Sequence, residues 1–320
     1  MLSETPFPWA NWLLCCLAIV GLSAIVAWLR PRSIGSRWCW ALLVLILPIF
    51  FPSRGAVATF FTGLSVVVAV RLSDMRAMQG ATRMRLFFWL LIPVLKEQRQ
   101  PLSPQERWAY GGKLLLSAGF KLGLWQMIAV ALSRENPGEW HWFLRSALLI
   151  LFFVLNLTAL SQLIELIVVV FGERTEPAFR APFLSRSVRE FWGRRWNRFI
   201  SRFALRHIAR PLADQQRSRA LIGLTVFGAS GVYHEYFAAG ASGGAYVPLF
   251  MLVFFLVQGV AVLLSERLPQ PPRPLGVLLS FIWMSATAPL FFLPLEVVLI
   301  DVGYPSPWFS FLELKQLLLT

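Results

Sequence analysis

Phe143–Val170 reads FLRSALLILFFVLNLTALSQLIELIVVV, and its only charged side chains are Arg145 near the start and Glu165 near the end. A helix needs roughly 20 apolar residues to cross about 30 Å of hydrocarbon. No surface helix of a soluble protein stays apolar on every face for this long, so the stretch reads as a transmembrane helix. Similar windows recur at Trp9–Leu29, Leu114–Leu132, Ala220–Ala239, Tyr246–Leu264 and Leu275–Ile300. Two shorter runs, Trp38–Phe51 and Gly55–Val70, flank Pro52 and Arg54 and read as a tight helical hairpin. Leu86–Leu95 is too short to span comfortably and carries Pro93, which makes it a re-entrant or interfacial segment. The predicted fold is an all-α integral membrane protein with about eight transmembrane helices. Residues 1–320 form a single multi-pass domain in this reading.

Composition agrees with the windows. Of 320 residues, 57% are apolar or aromatic and only 14% are charged, with a mean hydropathy of +0.62. So few polar side chains cannot cover a water-facing surface of this size, and the same figures exclude intrinsic disorder. The 14 Trp and 27 Phe suit lipid-facing helices with interfacial belts. Net charge is +14, built from 26 Arg and 4 Lys against 16 acids. That excess lies in loops between apolar segments, where it sets topology, so nucleic acid is not the expected partner. Cys15, Cys16 and Cys39 all lie near the N-terminus, and with the scattered His141, His207 and His234 they build neither a disulfide framework nor a metal site.

The first apolar run lacks a basic flank and is followed by Arg30 and Arg32, so it reads as an uncleaved anchor with its N-terminus outside. From there the loops 30–37, 71–113, 171–219 and 265–273 fall on the cytoplasmic side, and they are the Arg-rich ones. The bias toward Arg over Lys points to a bacterial inner membrane, with the endoplasmic reticulum as the eukaryotic equivalent. No internal repeat of the kind found in transporters is visible.

The loop 171–219 carries twelve Arg against Glu173, Glu176, Glu190 and Asp214. At 100° per residue, Val188, Trp192, Trp196, Phe199 and Phe203 share one arc, while Arg194, Arg195, Arg198 and Arg202 share another. This pattern predicts an amphipathic helix in the membrane interface. Its arginines have two readings: topology and headgroup anchoring, or a cradle for a polyphosphate, whose oxygens suit guanidinium forks.

Within the spans the ionisable groups are Lys121, Glu165, His234 and Glu235, with Arg145 near a helix end. Ionisable groups at membrane depth are costly and mark functional sites. His234 follows Gly228, Ser230 and Gly231, which permit close approach of a neighbour, and an imidazole can act as a base near neutral pH. The alternative is a neutral histidine that joins helices by hydrogen bonds. Glu235 points about 100° away from it on a helix, so the two do not form a dyad. Thr158, Ser161, Gln162 and Glu165 share one helix face, a pattern suited to helix association or a cavity lining.

Two stretches together resemble a family. Residues 177–211, PAFRAPFLSRSVREFWGRRWNRFISRFALRHIARP, with FWGRRWN at 191–197, resemble the signature of plant-type wax synthases in the membrane-bound O-acyltransferase superfamily. SGVYHEYF at 230–237 is similar to that superfamily's small-residue helix ending in His-Glu. The resemblance covers about 177–240, which would be the motif-bearing core. It implies that His234 is catalytic, that Asn197 is the second catalytic residue, and that Trp192 and Trp196 shape the site. Tyr233 departs from the apolar residue common there and bears on the acceptor pocket. The implied reaction is acyl transfer from acyl-CoA to the hydroxyl of a long-chain or other lipophilic alcohol, with acyl-CoA as co-substrate and neither metal nor resident cofactor. Arg194, Arg195 and Arg198 would meet the donor's phosphates, the alcohol would arrive from the bilayer, and a homodimer is compatible with this reading. The alternatives are acylation of an envelope glycan or secondary metabolite, and a non-enzymatic transporter or scaffold.

Overall fold

The computed structural model describes residues 8–31, 33–50, 64–72, 82–91, 95–134, 142–241 and 248–295. Two units are distinguished by their internal packing, Met1–Pro93 with Glu235–Pro248, and Val94–His234 with Leu249–Thr320.

In the first unit, α1 (Pro8–Leu29), α2 (Ile34–Phe50), α3 (64–72) and α4 (Arg83–Leu91) pack around Ile19, Val26, Val44, Val68, Leu72 and Leu90. The end of α1 is set by local chemistry. Arg30 adopts φ 49°, its N–H donates to the Val26 carbonyl at 2.9 Å, and Pro31 cannot extend the helix. Tyr236 donates its hydroxyl to the Leu45 carbonyl at 2.7 Å.

The second unit begins with β1 (Leu95–Pro101), followed by α5 (Pro104–Arg134), α6 (Trp142–Val170) and β2 (Glu173–Glu176). A capping box starts α5: the Glu106 N–H donates to Ser103 Oγ (3.3 Å), and the Ser103 N–H donates to Glu106 Oε2 (2.8 Å). At its other end α6 stops at Gly172, whose φ of 83° directs the chain into β2. That positive φ favours glycine over any residue with a Cβ. β1 and β2 pair antiparallel with Leu95 opposite Glu176 and Pro101 opposite Glu173. The helix α6 packs against α5 and α12 (Arg273–Phe292), while α11 (Phe250–Arg267) packs against α12. Between β2 and α10 (Arg219–Ala241) lie the single turn α7 (Val188–Glu190), α8 (Arg198–Ala204) and α9 (Arg210–Asp214).

Four described helices are long and apolar enough to cross a membrane: Pro104–Leu132, Trp142–Val170, Phe250–Arg267 and Arg273–Leu295. The segments Leu13–Leu29 and Ile34–Ile46 are apolar but shorter. The chain is thus a mostly helical membrane protein, with four such helices among the described residues where about eight were expected. The helix expected at Ala220–Ala239 forms, but Gly228, Ser230, Gly231, His234 and Glu235 dilute its hydropathy. The segment expected at Tyr246–Leu264 begins its helix at Phe250, and that at Leu275–Ile300 ends its helix at Phe292. The hairpin turn at Pro52–Arg54 lies outside the described residues.

Two expectations are corrected. Leu86–Leu95 is not one re-entrant element: α4 ends at Leu91 and β1 begins at Leu95, on either side of Pro93, which cannot donate a helical hydrogen bond. The interfacial amphipathic helix over 188–203 is broken. α7 passes into a π-helical turn over Phe191–Arg195, Trp196 is extended, and Asn197 is left-handed (φ 31°, ψ 61°) before α8 begins. Asn tolerates that conformation better than most residues, and its side chain caps the new helix.

Candidate active site

The segment 177–204 is fixed by ion pairs. Glu176, at the end of β2, accepts from Arg198 and, at 2.7 Å, from Arg202, with Arg180 at 3.7 Å. Partial burial works to raise the Glu176 carboxyl, but the hydrogen bond from Arg198 and the charges of Arg198, Arg202 and Arg180 outweigh it and hold it below the usual carboxylate range. Glu190 binds Arg195 at 2.7 Å and accepts the Arg186 N–H at 2.8 Å. Burial again acts upward, and these donors lower the carboxyl overall. Arg195 also donates to the Arg180 and Ala181 carbonyls, and Arg198 to that of Pro177. Among the three arginines expected to meet phosphates, Arg195 and Arg198 therefore brace their own loop, whereas Arg194 is exposed.

The aromatic residues of this segment face inward. Trp196 stacks on Phe191 (5.2 Å between centroids, 15° between planes) and meets Phe179 at 4.9 Å and Phe153 of α6 at 6.0 Å. Trp192 reaches α11, with its ring 5.6 Å from Phe255 and 6.3 Å from Phe254. Its indole N–H donates to Gln258 Oε1 at 3.3 Å, and the Trp283 indole donates to the same oxygen at 3.1 Å. Gln258 Nε2 donates to Thr287 Oγ1 at 2.8 Å, so this fully buried amide has all its contacts within the helices. Gln258 is absent from the candidates that motif reasoning supplied. Its signal is that of a lone amide in the apolar run 250–264.

His234 lies on α10 between Tyr233 (4.9 Å), Phe255 (4.3 Å) and Phe291 (6.0 Å). Its Nδ1 is 2.7 Å from the Ser230 carbonyl oxygen. A carbonyl only accepts, so Nδ1 carries the proton and Nε2 keeps its lone pair. Close packing here rests on Gly231, where a Cβ would stand 2.8 Å from the Leu252 Cα. The Asn197 Oδ1 accepts the Ile200 N–H at 3.4 Å, so the Nδ2 of the same amide remains a donor. The structure therefore brings Trp192, Tyr233 and His234 into one aromatic cluster through Phe255. Asn197 follows Trp196, whose ring lies 6.3 Å from that of Trp192. Neither Asn197 nor His234 lines the cavity of about 550 Å³ between α5, α6 and residues 177–184.

Residues 175–257 match the model of the membrane bound O-acyl transferase family, and this range contains both FWGRRWN and His234. This motif-bearing segment is thus similar to that family. It is similar to the probable long-chain-alcohol O-fatty-acyltransferase 2 of Arabidopsis thaliana, 24% identical over 79% of this chain and 78% of that protein. It is 27% identical to the probable long-chain-alcohol O-fatty-acyltransferase 8 and 26% identical to acyl-CoA–sterol O-acyltransferase 1 of the same plant. Those two matches span only 34% and 38% of the relatives' own lengths. Among the described residues no three His, Cys, Asp or Glu side chains cluster as metal ligands.

Proposed function

We propose that the chain transfers a fatty acyl group from acyl-CoA to the hydroxyl of a long-chain or other lipophilic alcohol, with His234 as general base. The observation that carries this reading is the hydrogen bond from His234 Nδ1 to the Ser230 carbonyl. It fixes the tautomer in which Nε2 is the basic nitrogen, beside the rings of Phe255 and Phe291. Nε2 takes the alcohol proton as the oxygen attacks the thioester carbonyl. Asn197 Nδ2 donates to the oxyanion that develops there, a role an amide fills without titrating. Collapse of the tetrahedral intermediate breaks the carbon–sulfur bond, and the imidazolium returns its proton to the departing CoA thiolate. The reaction uses acyl-CoA as co-substrate and has no step for a metal.

An apolar enclosure suits an alkyl alcohol and protects the thioester from hydrolysis. The relatives are named for activity toward long-chain alcohols and a sterol, which lie in the same class. The test incubates purified protein with labelled palmitoyl-CoA and hexadecanol, dodecanol, a sterol or soluble sugars at matched concentration. Hexadecyl palmitate as the main product is expected. Preferred acylation of the sugars would replace this reading with that of an envelope-glycan acyltransferase, and no ester from any acceptor would leave the transporter or scaffold reading.

A further inference from the structure

The cavity of about 550 Å³ beside α5 and α6 is lined by none of Trp192, Tyr233, His234 and Phe255 and has its own chemistry. One wall is polar, formed by Lys113, Ser117 and Lys121 of α5 with Thr158, Ser161 and Gln162 of α6. Residues 177–184 add an apolar lining of Phe179, Pro182, Phe183 and Leu184. Its volume falls within the range of about 300 to 1,000 Å³ usual for small-molecule sites.

Lys121 is the feature that asks for a ligand. At 1.5 Å per residue it lies about 26 Å along α5 from Pro104 and about 16 Å from Leu132, well inside a helix long enough to span the membrane. Its ammonium donates to Gln162 Oε1 at 2.7 Å, and Gln162 Nε2 donates in turn to Ser117 Oγ at 3.1 Å. That partner is a neutral amide. The carboxylate on the same lining, Glu165, accepts from the Tyr110 hydroxyl, and Arg174 lies 4.4 Å over the Tyr110 ring. A cation at membrane depth that faces a cavity favours an anion in that cavity, and the apolar lining from residues 179–184 favours a hydrocarbon chain beside it.

We propose that this cavity binds a single-chain lipid with an anionic head, Lys121 serving as the counter-ion and the Phe179–Leu184 wall covering the chain. A fatty carboxylate and a lysophospholipid phosphate share that chemistry. The site is distinct from the acyl-transfer centre and does not depend on the reaction assigned to it.

The test is photolabelling of the purified full-length protein with hexadecanoic acid bearing a chain diazirine, followed by peptide mapping. Labelling is expected on α5, α6 and residues 177–184, and Lys121→Gln lowers it about tenfold by removing a charge-assisted contact. Lys121→Arg restores most of it. Ser161→Phe, which fills the cavity from α6, lowers labelling without altering the ammonium, and so guards against a folding effect of the lysine change. A lysophosphatidate probe that labels the same peptides more strongly assigns the head to a phospholipid and supports the site. Equal labelling of wild type and Lys121→Gln, equal labelling by a hexadecanol probe, or labelling confined to other segments overturns it. His234→Ala should abolish ester formation and leave the labelling intact, so the two readings fail separately.

Discussion

The indole of Trp192, from the loop segment, and the amide of Gln258, on α11, are joined by a hydrogen bond of 3.3 Å inside the helix cluster. The same Gln258 oxygen accepts from Trp283, and its nitrogen donates to Thr287. Gln258 thereby holds the ring that packs on Phe255, which in turn lies against His234. Gln258→Leu should leave two indole N–H groups unpaired, at a cost of about 1 to 3 kcal/mol each. Because Gln258 positions the site without touching the reacting atoms, Gln258→Leu should lower kcat with a smaller change in KM, and Gln258→Glu, which keeps an acceptor, should recover part of it. Thermal unfolding with steady-state ester formation reads both. An unchanged kcat in Gln258→Leu would show that the Trp192 wall is structural only.

Asn197 caps α8 and, in the proposed reaction, also supplies an amide donor, and one pair of substitutions separates the two. Asn197→Asp keeps the acceptor that caps α8 at Ile200 but loses the amide donor, so the fold should persist while kcat falls about 10² to 10³-fold. Asn197→Gly keeps the left-handed backbone and loses both side-chain groups, and should be as slow and less stable. His234→Ala should be inactive with little change in melting temperature. Wild-type turnover in Asn197→Asp would remove this residue from the chemistry.

The arginines of the loop should divide into two classes. Arg194 is exposed, and Arg194→Gln should raise the KM for acyl-CoA and weaken inhibition by free CoA without altering Tm. Arg195→Gln and Arg198→Gln leave Glu190 and Glu176 without their main partners and should instead lower Tm. If Arg194→Gln has a normal KM, the donor's phosphates bind elsewhere.

Acid should loosen the same loop. The Glu176 and Glu190 carboxyls are depressed in the folded chain, so each contributes stability that is fully present above the ordinary carboxylate value near 4.3 and is lost as pH falls through the folded-state value. Tm should be flat from neutrality to about pH 5 and then fall, less steeply in a Glu176→Gln, Glu190→Gln double variant.

Gly231 admits no side chain without movement of α11, because the Leu252 Cα stands 2.8 Å from the position a Cβ would take. Gly231→Val should cost about 1 to 3 kcal/mol through overpacking and should lower turnover, since the displaced α11 carries Phe255. Gly228→Ala, where the nearest atom is a Leu256 methyl at 3.9 Å, should be silent in both assays.

The membrane character, the helical spans around Phe143–Val170 and the candidacy of His234 were legible in the residues themselves, while that of Asn197 came from the resemblance alone. Hydropathy over a helix length is local, and so is the rarity of an imidazole in an apolar run. The resemblance to a family likewise rests on two short motifs in order. The wheel over 188–203 misled because it assumes an unbroken helix, whereas Asn197 adopts the left-handed conformation and begins a new one. Tertiary structure alone decided the rest. It brought Trp192 and His234 onto one Phe255 ring, made Gln258 the common partner of two distant tryptophans, and joined Arg198 and Arg202 to Glu176. It also opened a cavity beside Lys121, 41 residues from the Gln162 that holds its ammonium. Such contacts depend on which faces of separate helices pack together, a choice made by side-chain volumes and hydrogen bonds across the assembled bundle and by no periodicity within a single segment.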